Sequence, residues 1–244
     1  IFVGLNSFSP SSDKHAMFMS LMAKRDFFSI DASNFELIPG SPLAYQLGQD
    51  ILRGYRVHGR ISDYGQTASG LQTNDNSRFI RYWFEVSEQT ICRSALSRDD
   101  AKASLRKWFP HVKGGGRRRW YGNLLYVVNW HLDGKEILAL ATELYGSATR
   151  TAKNMDLYFR SGVTWTDIGI DFGARLLPSS YIFDTAAPSL FSDDPLVLLS
   201  YLQSSIASAI LRSVNPTLHF LSSDIANLPF SKPSAENRDS IISI

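Results

Sequence analysis

The apolar runs of this chain are short, and no single period connects them. Phe79 to Val86, Tyr126 to Trp130, Leu157 to Phe159, Gly162 to Trp165, Arg175 to Leu177 and Tyr181 to Phe183 carry aromatic and β-branched residues over strand-like lengths. Helical spacing interrupts them irregularly, which excludes a regular βαβ repeat. The pattern predicts a mixed α+β fold of short twisted β-sheets with inserted helices.

The helices can be placed from their ends. Ser12-Asp13 can cap a helix carrying Met17, Phe18, Leu21 and Met22. Ser41 and Pro42, in the turn Pro39-Gly40-Ser41-Pro42, suit the cap and first position of a helix from Leu43 to Leu52. Residues 59–77 are rich in Gly, Ser, Thr, Asn and Asp and read as loop. A basic helix with Ala101, Leu105 and Trp108 on one side follows the first strand. The turn Asp133-Gly134 leads into a helix from Lys135 to Tyr145. The clearest helix runs from Pro195 to Leu211, with Asp194 as cap and Leu196, Leu199, Leu202, Ile206 and Ile210 as an apolar stripe. Asn215-Pro216 ends it. The Ser-rich stretch 231–244 reads as a linker or the truncated start of a further element.

Composition narrows the function classes. With 44% hydrophobic and 12% aromatic residues the chain is an ordinary globular one. Its formal net charge is only +2, so any polyanion signal has to come from local clustering. The single cysteine, Cys92, forms no intrachain disulfide, which fits a reducing, cytoplasmic setting. The apolar stretch from Leu196 to Leu211 is broken by Ser200, Gln203, Ser204, Ser205 and Ser208, too polar and too short to span a bilayer. Ile1 opens without Met or a basic leader region, and the chain reads as a fragment excised from a longer protein.

The strongest local signal lies between Lys102 and Arg119. Lys102, Arg106, Lys107, Lys113, Arg117, Arg118 and Arg119 occur there without an acidic residue among them, flanked by Trp108 and Trp120. Three glycines beside three arginines place dense positive charge on a mobile backbone. Phosphate neutralisation needs that charge, arginine forks onto guanine, and tryptophan stacks on bases. The plainer reading is a solvated basic face with core tryptophans. A second cluster holds Arg78, Arg81, Tyr82 and Trp83; on a strand Arg81 and Trp83 would share one face, and Tyr82 and Trp83 also read as core residues.

Catalytic patterns fail. Asp171-Phe172-Gly173 lacks the other kinase elements, and Gly114-Gly115-Gly116 is not followed by Gly-Lys-Ser/Thr. The five histidines are scattered and Cys92 has no partner, so no metal is expected. Asn215-Pro216-Thr217 lacks the second proline and the aromatic of an adenine-methyltransferase motif. No catalytic residue is assigned.

Several blocks together are more specific. The run Gly70-Leu71-Gln72-Thr73-Asn74-Asp75-Asn76-Ser77-Arg78-Phe79-Ile80-Arg81-Tyr82-Trp83 resembles the opening of the recognition region of PglX-type adenine-specific methyltransferases of BREX phage-defence systems, which are similar to type IIG restriction-modification enzymes. Lys113-Gly114-Gly115, Arg118-Arg119-Trp120-Tyr121-Gly122-Asn123, Val127-Val128-Asn129-Trp130, Tyr158-Phe159, Gly162-Val163-Thr164-Trp165, Phe183-Asp184, Asn215 to Phe220 and Asp224 to Pro229 follow in the family's order. Ile38 to Tyr45 resembles the family's passage out of the catalytic domain. Asn74 stands where the family has Gly, and Asn is the next residue able to adopt a left-handed turn.

The resemblance implies a target-recognition fold like that of type I and IIG restriction-modification proteins. Residues 1–58 would be the tail of a catalytic domain and a connector, 59–230 the recognition domain, and 231–244 the linker. The parent would use S-adenosylmethionine on a flipped adenine, while the fragment itself would hold no cofactor and carry no chemistry. Its partner would be double-stranded DNA, through Gln72, Asn74, Asn76, Arg78, Arg81, Lys113, Arg117, Arg118, Arg119 and Trp120. Gln and Asn pair bidentately with adenine, but these amides can equally stabilise their own loop by Asx-type turns. The alternative is a module that docks other phage-defence subunits through aromatic surface. No membrane partner is expected.

Overall fold

The computed structural model describes residues 1–4 and 9–242; Leu5, which closes the short apolar run read from Ile1 to Leu5 at the start of the sequence, lies outside them. In chain order the elements are α1 (Lys14–Ala23), α2 (Gln49–Val57), β1 (Gly59–Arg60), β2 (Gly65–Ala68), α3 (Asn76–Phe79), β3 (Ile80–Tyr82), α4 (Arg98–Ala103), β4 (Trp108–Val112), β5 (Tyr126–Asn129) and α5 (His131–Tyr145). There follow β6 (Gly162–Trp165), β7 (Ala174–Leu177), β8 (Ile182–Phe183), β9 (Ser189–Ser192), α6 (Pro195–Leu202), α7 (Ser205–Val214), α8 (Ser222–Ala226), β10 (Pro229–Phe230) and α9 (Ala235–Ile242). This is the α+β mixture that the irregular patterning predicts.

Two four-stranded sheets carry the molecule. One runs β2-β9-β6-β7, antiparallel throughout; the other runs β3-β5-β4-β8, with β8 parallel to β4. β1 and β10 pair separately. Side chains alternate across a strand, and the first sheet uses both faces. Val163, Trp165, Ala174 and Leu190 join a core with α6, α7 and α8, which also takes Leu52 of α2 and the upstream residues Ile38, Ala44 and Leu47. Ala68, Leu177 and Phe191 point into a second core with Phe79, Phe109, Val112, Val128, Trp130, Ile137, Tyr158 and Phe183. The buried indoles are satisfied: Trp165 Nε1 donates to the Phe220 carbonyl at 2.8 Å, and Trp130 Nε1 to Asp133 at 3.2 Å.

Several sequence expectations are corrected by tertiary pairing. Residues 59–77 are not loop throughout: β1 and β2 form there because facing strands supply hydrogen bonds that local composition does not reveal, and α3 begins at Asn76, capped by Asp75. The helix expected from Leu43 starts at Gln49 instead. Gly40 and Ser41 take positive φ (83° and 48°), and short turns bonding Ala44 to Pro42 and Tyr45 to Leu43 deliver Ala44 to the core. The strand expected over Phe79–Val86 stops at Tyr82, because the Glu85 carboxylate accepts from the Tyr82 N–H at 2.7 Å and folds the chain into a 3₁₀ turn. Arg81 and Trp83 therefore do not share a strand face.

The basic helix ends at Ala103. Leu105 has φ +52° and is exposed, and Trp108 opens β4 opposite Asn129. Leu157 to Phe159 is not a strand: a 3₁₀ turn over Met155–Leu157 ends there, and Phe159 is left-handed (φ 68°), its N–H donating to the Tyr181 carbonyl at 2.9 Å.

The helix read as Pro195–Leu211 is two helices meeting at 69°. Ser204 Oγ accepts from the Ala207 N–H at 3.1 Å and starts the second. Leu196 and Ile206 of the expected stripe are exposed, while Val197, Leu198 and Leu211 fill the core. Asp194 makes no cap hydrogen bond; its carboxylate accepts from Arg238 of α9. No single helix among the described residues is long and apolar enough to cross a membrane.

Gly70 sets the entry to the run from Gly70 to Trp83. A Cβ there would lie 2.0 Å from the Phe183 carbonyl oxygen, which accepts from the Leu71 N–H at 2.8 Å. Gly70→Ala is expected to cost about 3 kcal/mol, the upper range for overpacking a filled site, read as a lowered midpoint in urea unfolding.

Candidate nucleic-acid interface

The loop after Gly70 is held by backbone before side chains contribute. Gln72 N–H donates to the Thr151 carbonyl at 2.7 Å, and Thr185 N–H to the Leu71 carbonyl at 3.1 Å. Asn74 has φ +63°, the left-handed geometry that Asn tolerates where Gly would be easiest. Its side chain accepts from the Tyr145 hydroxyl at 3.4 Å. Asn76 Oδ1 accepts from Thr73 at 2.8 Å and from Lys113 at 3.4 Å. Both asparagines thus support their own loop, whereas Gln72 is exposed and its amide is unbonded among the described residues.

The arginines of the second cluster are also engaged. Arg78 pairs with Glu136 at 3.1 Å, both half-exposed, so the pair adds little stability. Arg81 donates to the Ser77 and Ile80 carbonyls. Tyr82 and Trp83, alternatively read as core, are exposed at 38% and 44%, with Phe84 at 62%. Tyr82 stacks on Phe84 at 5.2 Å and on Tyr126 at 5.0 Å. Asn76, Arg81 and Lys113 meet Tyr82, Glu85 and Tyr126 around one surface pocket of about 320 Å³. Three of the sequence-derived residues are therefore brought together beside an aromatic wall that spacing alone did not single out.

The glycine-arginine loop lies elsewhere. Arg117 Nε donates to the Phe172 carbonyl at 3.0 Å. Arg119 donates from Nε to Gln203 Oε1 at 2.8 Å and from Nη2 to the Gln203 carbonyl at 2.7 Å. Arg118 is exposed and has no polar side-chain partner among the described residues. Trp120 takes φ +69° and exchanges backbone hydrogen bonds with Ala174 and Leu176, which leaves its ring 51% exposed. Arg117 and Arg119 line a pocket of about 480 Å³ with Gln203, Ser204, Ser208 and Arg212.

No protein-family model matches the chain. Among curated proteins, it is 34% identical over 209 residues to the adenine-specific methyltransferase PglX of Lacticaseibacillus casei (strain Zhang), covering 82% of this chain and 17% of that protein. It is 31% identical over 208 residues to the adenine-specific methyltransferase BrxX of Escherichia coli O9:H4 (strain HS), covering 82% of this chain and 16% of that protein. Most of this chain resembles a segment of the PglX and BrxX adenine-specific methyltransferases. It spans about a sixth of their length.

Two buried charged residues stand behind the exposed ones, and neither was singled out from sequence. Arg175 on β7 is fully buried. It donates to Thr166 at 3.2 Å and to the Lys113 carbonyl at 3.2 Å, its Nε is unpaired, and it has no carboxylate partner. Burial alone pushes its pKa down to about 10, which leaves it charged at neutral pH. Asp184 is buried between His111 and Lys113, each at 3.2 Å, and also accepts from the Ala186 N–H at 2.8 Å. Their common signal is a charged residue inside an otherwise apolar strand pattern.

Burial acts to raise the Asp184 pKa. The His111 hydrogen bond and charge, the Lys113 charge and the Ala186 N–H outweigh it and hold the carboxyl down at about 2. A carboxylate depressed in the folded state contributes stability that is present above its unfolded pKa and lost as pH falls toward the folded value. The expected contribution is on the order of 2 kcal/mol, lost between about pH 5 and pH 2. Thermal melting across that range should show the loss in the parent chain and a shallower one in Asp184→Asn.

Proposed function

We propose that this chain is the part of an adenine-specific methyltransferase that grips double-stranded DNA and reads the sequence around the target adenine. The observation that carries the reading is the state of the arginines in the 113–120 loop. Arg117 and Arg119 are positioned by a carbonyl and an amide, and Arg118 by nothing polar. Among the described residues none of the three is neutralised by a carboxylate, and Arg175, bonded to the Lys113 carbonyl at the start of the loop, adds a buried charge without one. Such a surface favours a polyanion.

In this reading Arg117 to Arg119 and Lys113 hold phosphates. Gln72 and the pocket walled by Asn76, Arg81 and Tyr82 face base edges, where amide and guanidinium groups discriminate adenine and guanine. Arg78, Asn74 and Trp120 support the same surface. The parent protein would bind S-adenosylmethionine in another domain and transfer its methyl group to a flipped adenine of the phage-defence target site. The names of the related PglX and BrxX proteins, both adenine-specific methyltransferases, support that assignment.

A second reading, docking of another defence subunit, is favoured by one feature. Trp120, Leu196, Leu199, Ile241 and Ile242 line an open apolar pocket of about 690 Å³. Salt separates the two readings, because phosphate contacts weaken steeply with ionic strength and apolar docking does not.

Fluorescence anisotropy of the chain on a random duplex pool is expected to show affinity that falls linearly with salt on logarithmic axes. Arg118→Ala should weaken it several-fold at low salt with an unchanged melting temperature, because that side chain holds nothing in the fold. Salt-independent binding, or none, would count against DNA recognition by this chain.

A further inference from the structure

The pocket between the glycine-arginine loop and α7 has a lining suited to one kind of ligand. Its polar walls are Arg117, Arg119, Arg212, Gln203, Ser204, Ser205 and Ser208, with no acidic residue among the lining side chains. Among the described residues, Arg119 spends Nε and Nη2 on Gln203 and has no partner for Nη1, and Arg117 spends only Nε on Phe172 and has no partner for either terminal nitrogen. Gln203 is itself anchored, its amide donating to the Ala174 carbonyl. These guanidiniums are therefore fixed by neutral acceptors and keep their full charge.

Arg212 enters from α7 and pairs with Asp171, an ion pair exposed on both sides. An exposed pair of this kind is weak and exchangeable. Ser204 already accepts the Ala207 N–H, so its hydroxyl hydrogen remains available, and the Ser205 and Ser208 hydroxyls have no partner among the described residues. Guanidinium forks and hydroxyl donors without an acceptor match the oxygens of a phosphate group.

We propose that this pocket binds one backbone phosphodiester of duplex DNA, with Arg212 as a phosphate ligand lying about ninety residues beyond the loop whose arginines it joins. The inference rests on the DNA-recognition reading and sharpens it. Arg118, with no polar side-chain partner among the described residues, extends the same loop, as expected where a polymer presents successive phosphates. A free inorganic phosphate would satisfy the same groups, so the test separates the two sources.

The test compares the full chain with Arg117→Gln/Arg212→Gln and with the charge-matched Lys24→Gln/Lys135→Gln, whose exposed lysines lie outside both pockets. Affinity for a random duplex is followed from about 50 to 200 mM salt, where each phosphate contact contributes about 0.9 to the logarithmic slope. The expected result is a slope shallower by about 0.9 in the arginine variant and unchanged in the lysine variant. Equal slopes in parent and arginine variant, with salt-dependent binding intact, would overturn the pocket while leaving DNA recognition standing. Salt-independent binding by the parent chain would overturn both. If millimolar inorganic phosphate raises the melting temperature of the parent but not of the arginine variant, while the DNA slopes agree, the site takes free phosphate and the duplex assignment fails. Should the double variant melt early through loss of the Arg212–Asp171 pair, Arg117→Gln alone, at an exposed loop position, carries the same slope comparison.

Discussion

Both faces of the β2-β9-β6-β7 sheet are buried, and the rest of the molecule is arranged around that fact. Antiparallel sheets commonly leave one face to solvent. Here Val163, Trp165 and Leu190 look toward α6, α7 and α8, while Leu177 and Phe191 look toward the second sheet. Within the sheet the neighbours of β9 lie close to its backbone: a Cβ at Gly162 would lie 2.6 Å from the Leu190 carbonyl oxygen, and one at Gly65 2.7 Å from that of Phe191. Alternation along short strands thus joins two cores into one framework, from which the polar loops project.

That framework also explains how positive charge is displayed without being cancelled. β7 places Arg175 on the face toward the second core and ends the backbone ladder at Trp120, which pins the glycine-arginine loop to the sheet margin. Arg117 and Arg119 then find carbonyl and amide acceptors, not carboxylates. Elsewhere the carboxylates do pair: Arg78 with Glu136, Arg93 with Glu88, Arg98 with Asp133, Lys113 with Asp184. The contrast leaves three consecutive arginines side by side without a carboxylate partner among the described residues, in a chain whose formal net charge is only +2.

Much of the candidate surface was legible in the residues themselves. Consecutive arginines beside consecutive glycines mark the loop, and the left-handed geometry of Asn74 follows from its side-chain chemistry. What remained hidden were residues that reach the site from elsewhere in the chain: Arg212 from α7, Tyr126 from β5, Glu85 from the turn after β3. Their local sequence is ordinary, and only packing places them. The bonds of Asn74 and Asn76 to Tyr145, Thr73 and Lys113 were hidden for the same reason, since they depend on neighbours distant in the chain or on the fold of the turn.

The sequence by itself determined the α+β class, most of the strands rich in aromatic and β-branched residues, the Asp13 cap of α1, the turn at Asp133-Gly134 and the resemblance to a methyltransferase segment. These depend on near neighbours or on ordered blocks, which composition and spacing record directly. Tertiary structure alone decided that a polar stretch at 65–68 becomes an edge strand, that the apolar run after Pro195 breaks at Ser204, and that Phe79 to Val86 folds back at Tyr82. In each case a partner far along the chain, or a single side-chain hydrogen bond, outweighed intrinsic preference. Propensities amount to tenths of a kcal/mol per residue, whereas burial of one large side chain contributes about 1.5 to 3 kcal/mol.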